Sequence, residues 1–137
     1  MVFELSEISL GAAFGDVDND GDVDVLVSNL NGPVRLLVNQ IGDRHHWVGV
    51  SLAGADGRPV LGARVEIRRN TGPTLWRRAR ADGSYASAND PRVLVGLGES
   101  TEAPMVRVHW PTGGVEEWPE VAIDRWTTLR AGEGRVP

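Results

Sequence analysis

The 137-residue sequence contains no cysteine, no lysine and no long hydrophobic segment. The absence of cysteine excludes disulfide bonds and thiol chemistry, and a zinc or copper site would lack thiolate ligands. No apolar run approaches the roughly 18 residues of a membrane-spanning helix, so we predict no membrane span. The first residues lack a basic segment followed by a long apolar one, and we therefore expect no signal peptide in this chain.

The charge of the chain is concentrated in one place. Arginine supplies all 14 basic residues, against 19 acidic residues, for a formal net charge of −5. Five of the acidic residues lie within residues 16–24, and outside that stretch the two signs balance. No general positive field therefore favours a nucleic acid as partner.

Residues 16–24, which we call the aspartate loop, carry aspartate at every second position and a glycine at Gly21. Carboxylates this close together repel one another unless a cation neutralises them. Calcium takes about 6–8 oxygen ligands from carboxylates, carbonyls and water, and a glycine permits the sharp turn of a short loop. We therefore predict a calcium site formed by the side chains of Asp16, Asp18, Asp20 and Asp24 and the backbone carbonyl of Asp22.

The flanks of the aspartate loop differ from those of an EF-hand. Its twelfth position, where an EF-hand has a bidentate Glu, is Val27. Valine then recurs at every second position from Val23 to Val27, which is the period of a strand. We expect the loop to join two strands, with Asp24 replacing the missing Glu. An unligated acidic turn is the alternative, since Asp and Gly favour turns.

The sequence GAAFG at residues 11–15, followed by DVDNDGDVDVLVSN, resembles an FG-GAP/VCBS repeat over about residues 8–40. The resemblance implies one blade unit of an integrin-type β-propeller, with calcium held by the five aspartates. Because such a repeat cannot bury its faces alone, we expect the chain to be the carboxy-terminal piece of a longer protein with further repeats. A complete small protein, in which the hairpin packs on the second domain, is the alternative.

The remainder of the chain has the pattern of short strands separated by Gly and Pro turns. Strands are predicted at residues 46–52, 60–69, 74–80, 105–110, 115–118 and 126–130, in addition to one near residues 3–8 and one at 34–38. No stretch has helical periodicity. The predicted fold is all-β. A propeller-blade-like antiparallel hairpin unit with a calcium loop (residues 1–42) precedes a small β-sandwich or partly open barrel (residues 43–137).

Three motifs in the second part, LGARV (61–65), GLG (96–98) and VHWPTGG (108–114), resemble those of an ASPIC/UnbV domain. Their order and spacing agree over about residues 45–134. That family follows FG-GAP/VCBS repeats in secreted proteins, so the resemblance implies an extracellular or periplasmic location. The motifs are turn glycines and a Trp-Pro corner, which imply an architecture rather than an activity.

Candidate catalytic groups are sparse. His45 and His46 are adjacent, and neighbouring residues of a strand point to opposite faces, so they are poorly placed to share a metal. Ser84 and Ser87 lie outside any G-x-S-x-G elbow.

We predict a non-catalytic, calcium-binding module of a secreted or cell-surface protein, serving protein or glycan interaction, with calcium structural. The alternative is an accessory domain of a larger enzyme whose catalytic part is outside this chain.

Five arginines surround Trp76 in one predicted hairpin: Arg68, Arg69, Arg77, Arg78 and Arg80. They could bind an anionic partner such as a sulfated glycan through bidentate contacts. The interpretation we favour is a solvated sheet face on which arginine stems cover apolar surface and stack on Trp76. Most of the five tryptophans are expected in the core because each buries a large area.

Overall fold

The computed structural model describes residues 7–137, which form ten strands and one short 3₁₀ turn at Gly42–Arg44. The strands are β1 Ser9–Gly15, β2 Asp24–Asn29, β3 Arg35–Leu37, β4 His46–Ala53, β5 Arg64–Arg68, β6 Leu75–Arg78, β7 Val93–Gly98, β8 Met105–His109, β9 Val115–Trp118 and β10 Trp126–Arg130. The all-β prediction is confirmed for these residues. None of them belongs to a helix long and apolar enough to cross a membrane. The strand predicted near residues 3–8 lies largely outside the described residues.

The strands form three small sheets, and none of them closes into a barrel. The first, the hairpin sheet, has the order β1-β2-β3, with the aspartate loop between β1 and β2. The second has the order β10-β4-β7, and its β10 runs parallel to β4. The third has the antiparallel order β6-β5-β8-β9.

The hydrophobic core joins the second and third sheets, which together we call the sandwich. Alternate residues of β4, β5 and β8 point inward and are buried, including Val50, Val65 and Val108. Leu129 of β10 and Val95 of β7 complete the same cluster. Burying a side chain of this kind stabilises the fold by roughly 1.5–3 kcal/mol, so this cluster is the main source of stability. The sandwich-like prediction is confirmed.

Strand β7 was absent from the predictions. Its side chains alternate, with Val93, Val95 and Leu97 buried, but Gly96 and Gly98 interrupt the apolar pattern and are uncommon in strands. Gly96 pairs with Trp47 of β4, and a Cβ at Gly96 would meet no atom within 4 Å. The predicted strand at 60–69 is also too long, because Gly62 has φ +87° and β5 begins at Arg64.

The hairpin sheet leaves apolar side chains uncovered on both faces. Leu26 pairs with Leu36 on one face, and they are 45% and 48% exposed. On the other face, Phe14 is 46% exposed. The sheet is attached to the rest of the chain at Phe14, whose N–H donates to Asn89 Oδ1 (3.0 Å) and whose carbonyl accepts from Asp90 N (2.9 Å). Three strands with so little covered surface depend on their neighbours for stability.

Candidate metal centre and its surroundings

The aspartate loop is a tight turn organised by its own carboxylates. Asp16 Oδ1 accepts a hydrogen bond from Asp20 N (3.1 Å), and its Oδ2 accepts from Gly21 N (3.0 Å). The turn requires left-handed backbone at Asn19 (φ 63°) and Gly21 (φ 96°), and Gly adopts this conformation without a steric penalty. The local sequence thus produces the turn even without a ligand.

Asp24 ties the loop to the end of the hairpin. It is the most buried of the five aspartates, with 1% of its surface exposed. Its Oδ2 accepts from Val17 N and its Oδ1 from Asn39 N, each at 2.9 Å. One buried carboxylate therefore closes the loop and holds the segment that follows β3.

The structure brings three of the predicted ligands together. One carboxylate oxygen each from Asp16, Asp18 and Asp24 lie within 4.8 Å of one another. Two oxygens that bind the same calcium at about 2.4 Å can be at most about 4.8 Å apart, so these three fit one ion. The carboxylates of Asp20 and Asp22 do not belong to this group.

The side chain of Asp22, which had no role in the prediction, contacts a residue outside the aspartate loop. The side chain is buried, and its Oδ2 accepts from Gly42 N at 3.1 Å. Its Oδ1 is also buried and has no hydrogen-bond partner within the described part of the chain. A buried carboxylate oxygen without a partner is costly, and a cation is one means of satisfying it.

The charges of the loop are poorly compensated by the protein itself. Burial raises the pKa of Asp20, and the nearby carboxylates of Asp18 and Asp16 raise it further. Burial likewise raises the pKa of Asp22, as do the charges of Asp20 and Asp24. A raised carboxyl pKa means that the ionised form is disfavoured in the folded protein. All of the candidate ligand atoms are hard oxygen donors, and the carboxylates among them are negatively charged. Both properties suit calcium.

Arg92 and Trp126 form hydrogen bonds with the aspartate loop, and neither was predicted to do so. Arg92 donates from one terminal nitrogen to Asn19 Oδ1 and from the other to the Asp16 carbonyl, both at 2.7 Å. Its guanidinium lies 3.9 Å from the centre of the Trp126 ring, and Trp126 Nε1 donates to Asp16 Oδ2 at 3.1 Å. These residues are 73 to 110 positions from their partners, so no local pattern could reveal them.

A second tryptophan packs against the same loop. Trp47 is buried, and its indole lies directly against the backbone of Gly21, where a Cβ would overlap it. The Trp47 and Trp126 rings are 5.6 Å apart between centroids. The conformation of the loop is therefore coupled to the packing of two aromatic side chains of the sandwich.

The five arginines predicted around Trp76 do not form one surface. Arg68 pairs with Glu66 on the outer face of the third sheet, and Arg69 donates to the Pro73 carbonyl at 3.2 Å. Arg77, Arg78 and Arg80 instead line a cleft beside the aspartate loop. The arginines of the two arms therefore have different surroundings, and a count along the sequence overestimates the cluster. Trp76 itself is half exposed on the outer face.

Glu66 is a buried acid on the outer face of the third sheet. Arg68 Nε donates to its Oε1, while Arg107 and His109 approach its Oε2 at 3.6 and 3.4 Å. Burial by itself raises the pKa of Glu66, but the hydrogen bonds from Arg68 and His109 and the charges of the arginines outweigh it. The net result is a pKa below the usual value of 4.5.

Replacing Glu66 by glutamine is expected to lower the free energy of unfolding by about 1–3 kcal/mol at neutral pH, because it leaves the charge of Arg68 unpaired in a partly buried site. A carboxyl with a lowered pKa stabilises the fold above its unfolded-state pKa and loses that contribution as the pH falls through the folded value. The difference from wild type should therefore shrink below about pH 4.5. Urea unfolding at several pH values measures this. Glu102→Gln, at an exposed position, serves as the control, and an equal pH dependence in both variants would contradict the assignment.

Each histidine has its own carboxylate neighbour. His45 Nδ1 lies 3.1 Å from Glu99, and His46 Nδ1 lies 2.7 Å from Asp124. His109 faces Glu66 on a different sheet. Asp124 also accepts from Trp47 N at 3.1 Å, so its pairing with His46 fixes the start of β4.

Comparison with known proteins supports the assignment of the sandwich. The family model described as ASPIC and UnbV matches residues 54–136, more than half of the chain. A 47-residue segment is 38% identical to cartilage acidic protein 1 of Xenopus tropicalis, a match that covers 34% of this chain and 7% of that protein. The chain thus corresponds to a small part of the length of this relative. It belongs to the ASPIC and UnbV family.

Proposed function

We propose that this chain is a calcium-binding, non-catalytic module in which the ion is structural. One observation carries the proposal: the buried Asp22 Oδ1 has no partner in the described residues and lies in the same loop as three carboxylates that fit one ion. The ligands of the proposal are Asp16, Asp18, Asp20, Asp22 and Asp24. When bound, calcium would offset the mutual repulsion of these groups.

The proposed ion also stabilises the junction between the hairpin sheet and the sandwich. Asp16 is a ligand in this proposal, and it also binds Arg92 through its carbonyl and Trp126 through its carboxylate. An ion that binds only the folded loop adds its binding free energy to folding. Its effect is therefore expected to extend to the packing of Trp126 on Arg92.

The hairpin sheet is proposed to be an FG-GAP/VCBS-like blade unit that stacks on further repeats. The exposed Leu26 and Leu36 on the face opposite Phe14 support this, because a stacked neighbour would cover them. An extracellular or periplasmic location is proposed as well. The family and the similarity to cartilage acidic protein 1 support it. A loop without a bidentate Glu suits calcium at the affinities of extracellular modules, about 10⁻⁴–10⁻³ M.

Thermal unfolding with calcium, with magnesium and with chelator tests the calcium proposal. Calcium at about a hundredfold excess over its Kd should add about 2.7 kcal/mol and raise the Tm by about 5–10 °C. Magnesium should have a much smaller effect, because it needs a near-ideal octahedron and retains its waters. Asp18→Ala should abolish most of the calcium response, because its carboxylate is one of the three that fit one ion.

Asp82→Ala is the control, since Asp82 is exposed and lies outside the aspartate loop. It should keep the full calcium response. Identical Tm values in calcium and chelator for the wild-type chain would refute the proposal. A response that Asp18→Ala leaves intact would place the ion elsewhere.

A further inference from the structure

A cleft of about 220 Å³ lies where the hairpin sheet meets the sandwich. It opens between β6, at one edge of the third sheet, and β7, at one edge of the second. The end of β1 and the aspartate loop close it from the side. Free strand edges present unpaired backbone groups, so this is the part of the sandwich best suited to receive another chain.

One side of the cleft is cationic. Arg77, Arg78 and Arg80 line it, and all three are exposed. In residues 7–137 no carboxylate pairs with Arg77 or Arg78, and one terminal nitrogen of Arg77 donates to the Trp76 carbonyl at 2.9 Å. Arg80 lies 3.9 Å from Asp82, but both side chains are mostly exposed and the pair is weak.

The acidic groups that line the cleft already have partners within the protein. Asp90 forms an ion pair with Arg92 at 2.6 Å. Asp16 accepts from two backbone N–H groups and from Trp126, as described above. The positive charge of the three arginines is therefore the charge that a ligand would meet.

The opposite side of the cleft is apolar. Phe14 and Val23 line it and are each 46% exposed, and Leu94 and Trp126 extend the surface inward. Arg92 covers one face of the Trp126 ring, so that face cannot stack on a sugar. The apolar side thus suits an aliphatic or aromatic side chain better than a carbohydrate ring.

We propose that this cleft binds an acidic peptide segment in which carboxylates alternate with apolar side chains. The carboxylates bind Arg77 and Arg80 through charge-assisted hydrogen bonds, and an apolar side chain packs on Phe14 and Val23. The volume is below the roughly 300 Å³ of a typical small-molecule site, so it accommodates one or two side chains while the peptide continues along the edge of β6. This site gives the non-catalytic module of the proposed function a role in protein interaction and rests on that proposal.

The test measures the binding of fluorescein-labelled Glu-Phe-Glu-Leu-Glu by anisotropy, in calcium and at low salt. The matched peptide Gln-Phe-Gln-Leu-Gln should bind at least about tenfold more weakly, since its carboxylates are lost. The double variant Arg77→Gln, Arg80→Gln should weaken binding of the acidic peptide by at least about tenfold. Arg58→Gln should leave it unchanged, because Arg58 is exposed and lies outside the cleft.

Phe14→Ala is a second test, and it changes no charge. It should weaken the binding of the acidic peptide and leave the salt dependence of that binding unchanged. The proposal is overturned if the acidic peptide fails to bind at millimolar concentration or binds the double variant as well as wild type. Preferential binding of a heparin-derived hexasaccharide through the same arginines would also overturn it, in favour of a glycan. The change in Tm on adding calcium, measured on the same samples, tests the calcium proposal separately.

Discussion

Gly21→Ala is expected to lower the free energy of unfolding by about 2–5 kcal/mol. Gly21 has φ +96°, a left-handed conformation that strains an alanine. A Cβ at this position would also overlap the indole of Trp47, which is buried and packed against Trp126. The indole cannot move aside without disturbing the sandwich, so the loop must move instead. The calcium response should be reduced together with the stability.

Gly113→Ala is the matched control for this variant. Gly113 has φ +95°, but no atom outside its chain neighbours lies within 4 Å of the position of its Cβ. Gly113→Ala should therefore lower the free energy of unfolding only by the cost of backbone strain, about 1–2 kcal/mol. Urea unfolding of both variants in chelator therefore separates strain from steric overlap. Equal losses would contradict the close packing of the aspartate loop on Trp47.

Asp24→Ala is expected to lower the free energy of unfolding by about 2–5 kcal/mol even in chelator, because the backbone N–H groups of Val17 and Asn39 both lose their acceptor. The site is almost fully buried, so water cannot easily replace the carboxylate. The calcium response should disappear as well. Urea unfolding with and without calcium measures both effects.

Asp18→Ala distinguishes the metal role of the loop from its hydrogen-bonding role. Asp18 is exposed, and its carboxylate is one of the three that fit a single ion. Its removal should leave stability in chelator unchanged or slightly higher, because one like charge is lost, but it should abolish most of the calcium increment. If Asp18→Ala and Asp24→Ala behave alike in both conditions, the two roles are not separable and this account of the loop is wrong.

The sequence by itself determined the local features of this protein. Alternation of side chains is a property of a few neighbouring residues, and it predicted the bounds of β9 and β10 correctly and those of β4 and β8 to within one residue. The spacing of the aspartates predicted that four carboxylates meet in one loop; those of Asp16, Asp18 and Asp24 lie within 4.8 Å of one another, and that of Asp20 is not in this group. Gly21 was expected to permit the turn, and its φ of 96° agrees.

The tertiary structure decided every feature that depends on residues far apart in the chain. The parallel pairing of β10 with β4 joins positions 77 residues apart, such as Gly49 and Trp126, and nothing in either segment encodes the other. Arg92 likewise binds Asn19 and Asp16 of the aspartate loop, which are 73 and 76 positions away in the sequence. Glu66 has the alternation of an outward residue, yet Arg107 and His109 of the neighbouring strand β8 help to cover it. Burial, pKa and clefts are set by surfaces that meet only on folding, and therefore local pattern does not determine them.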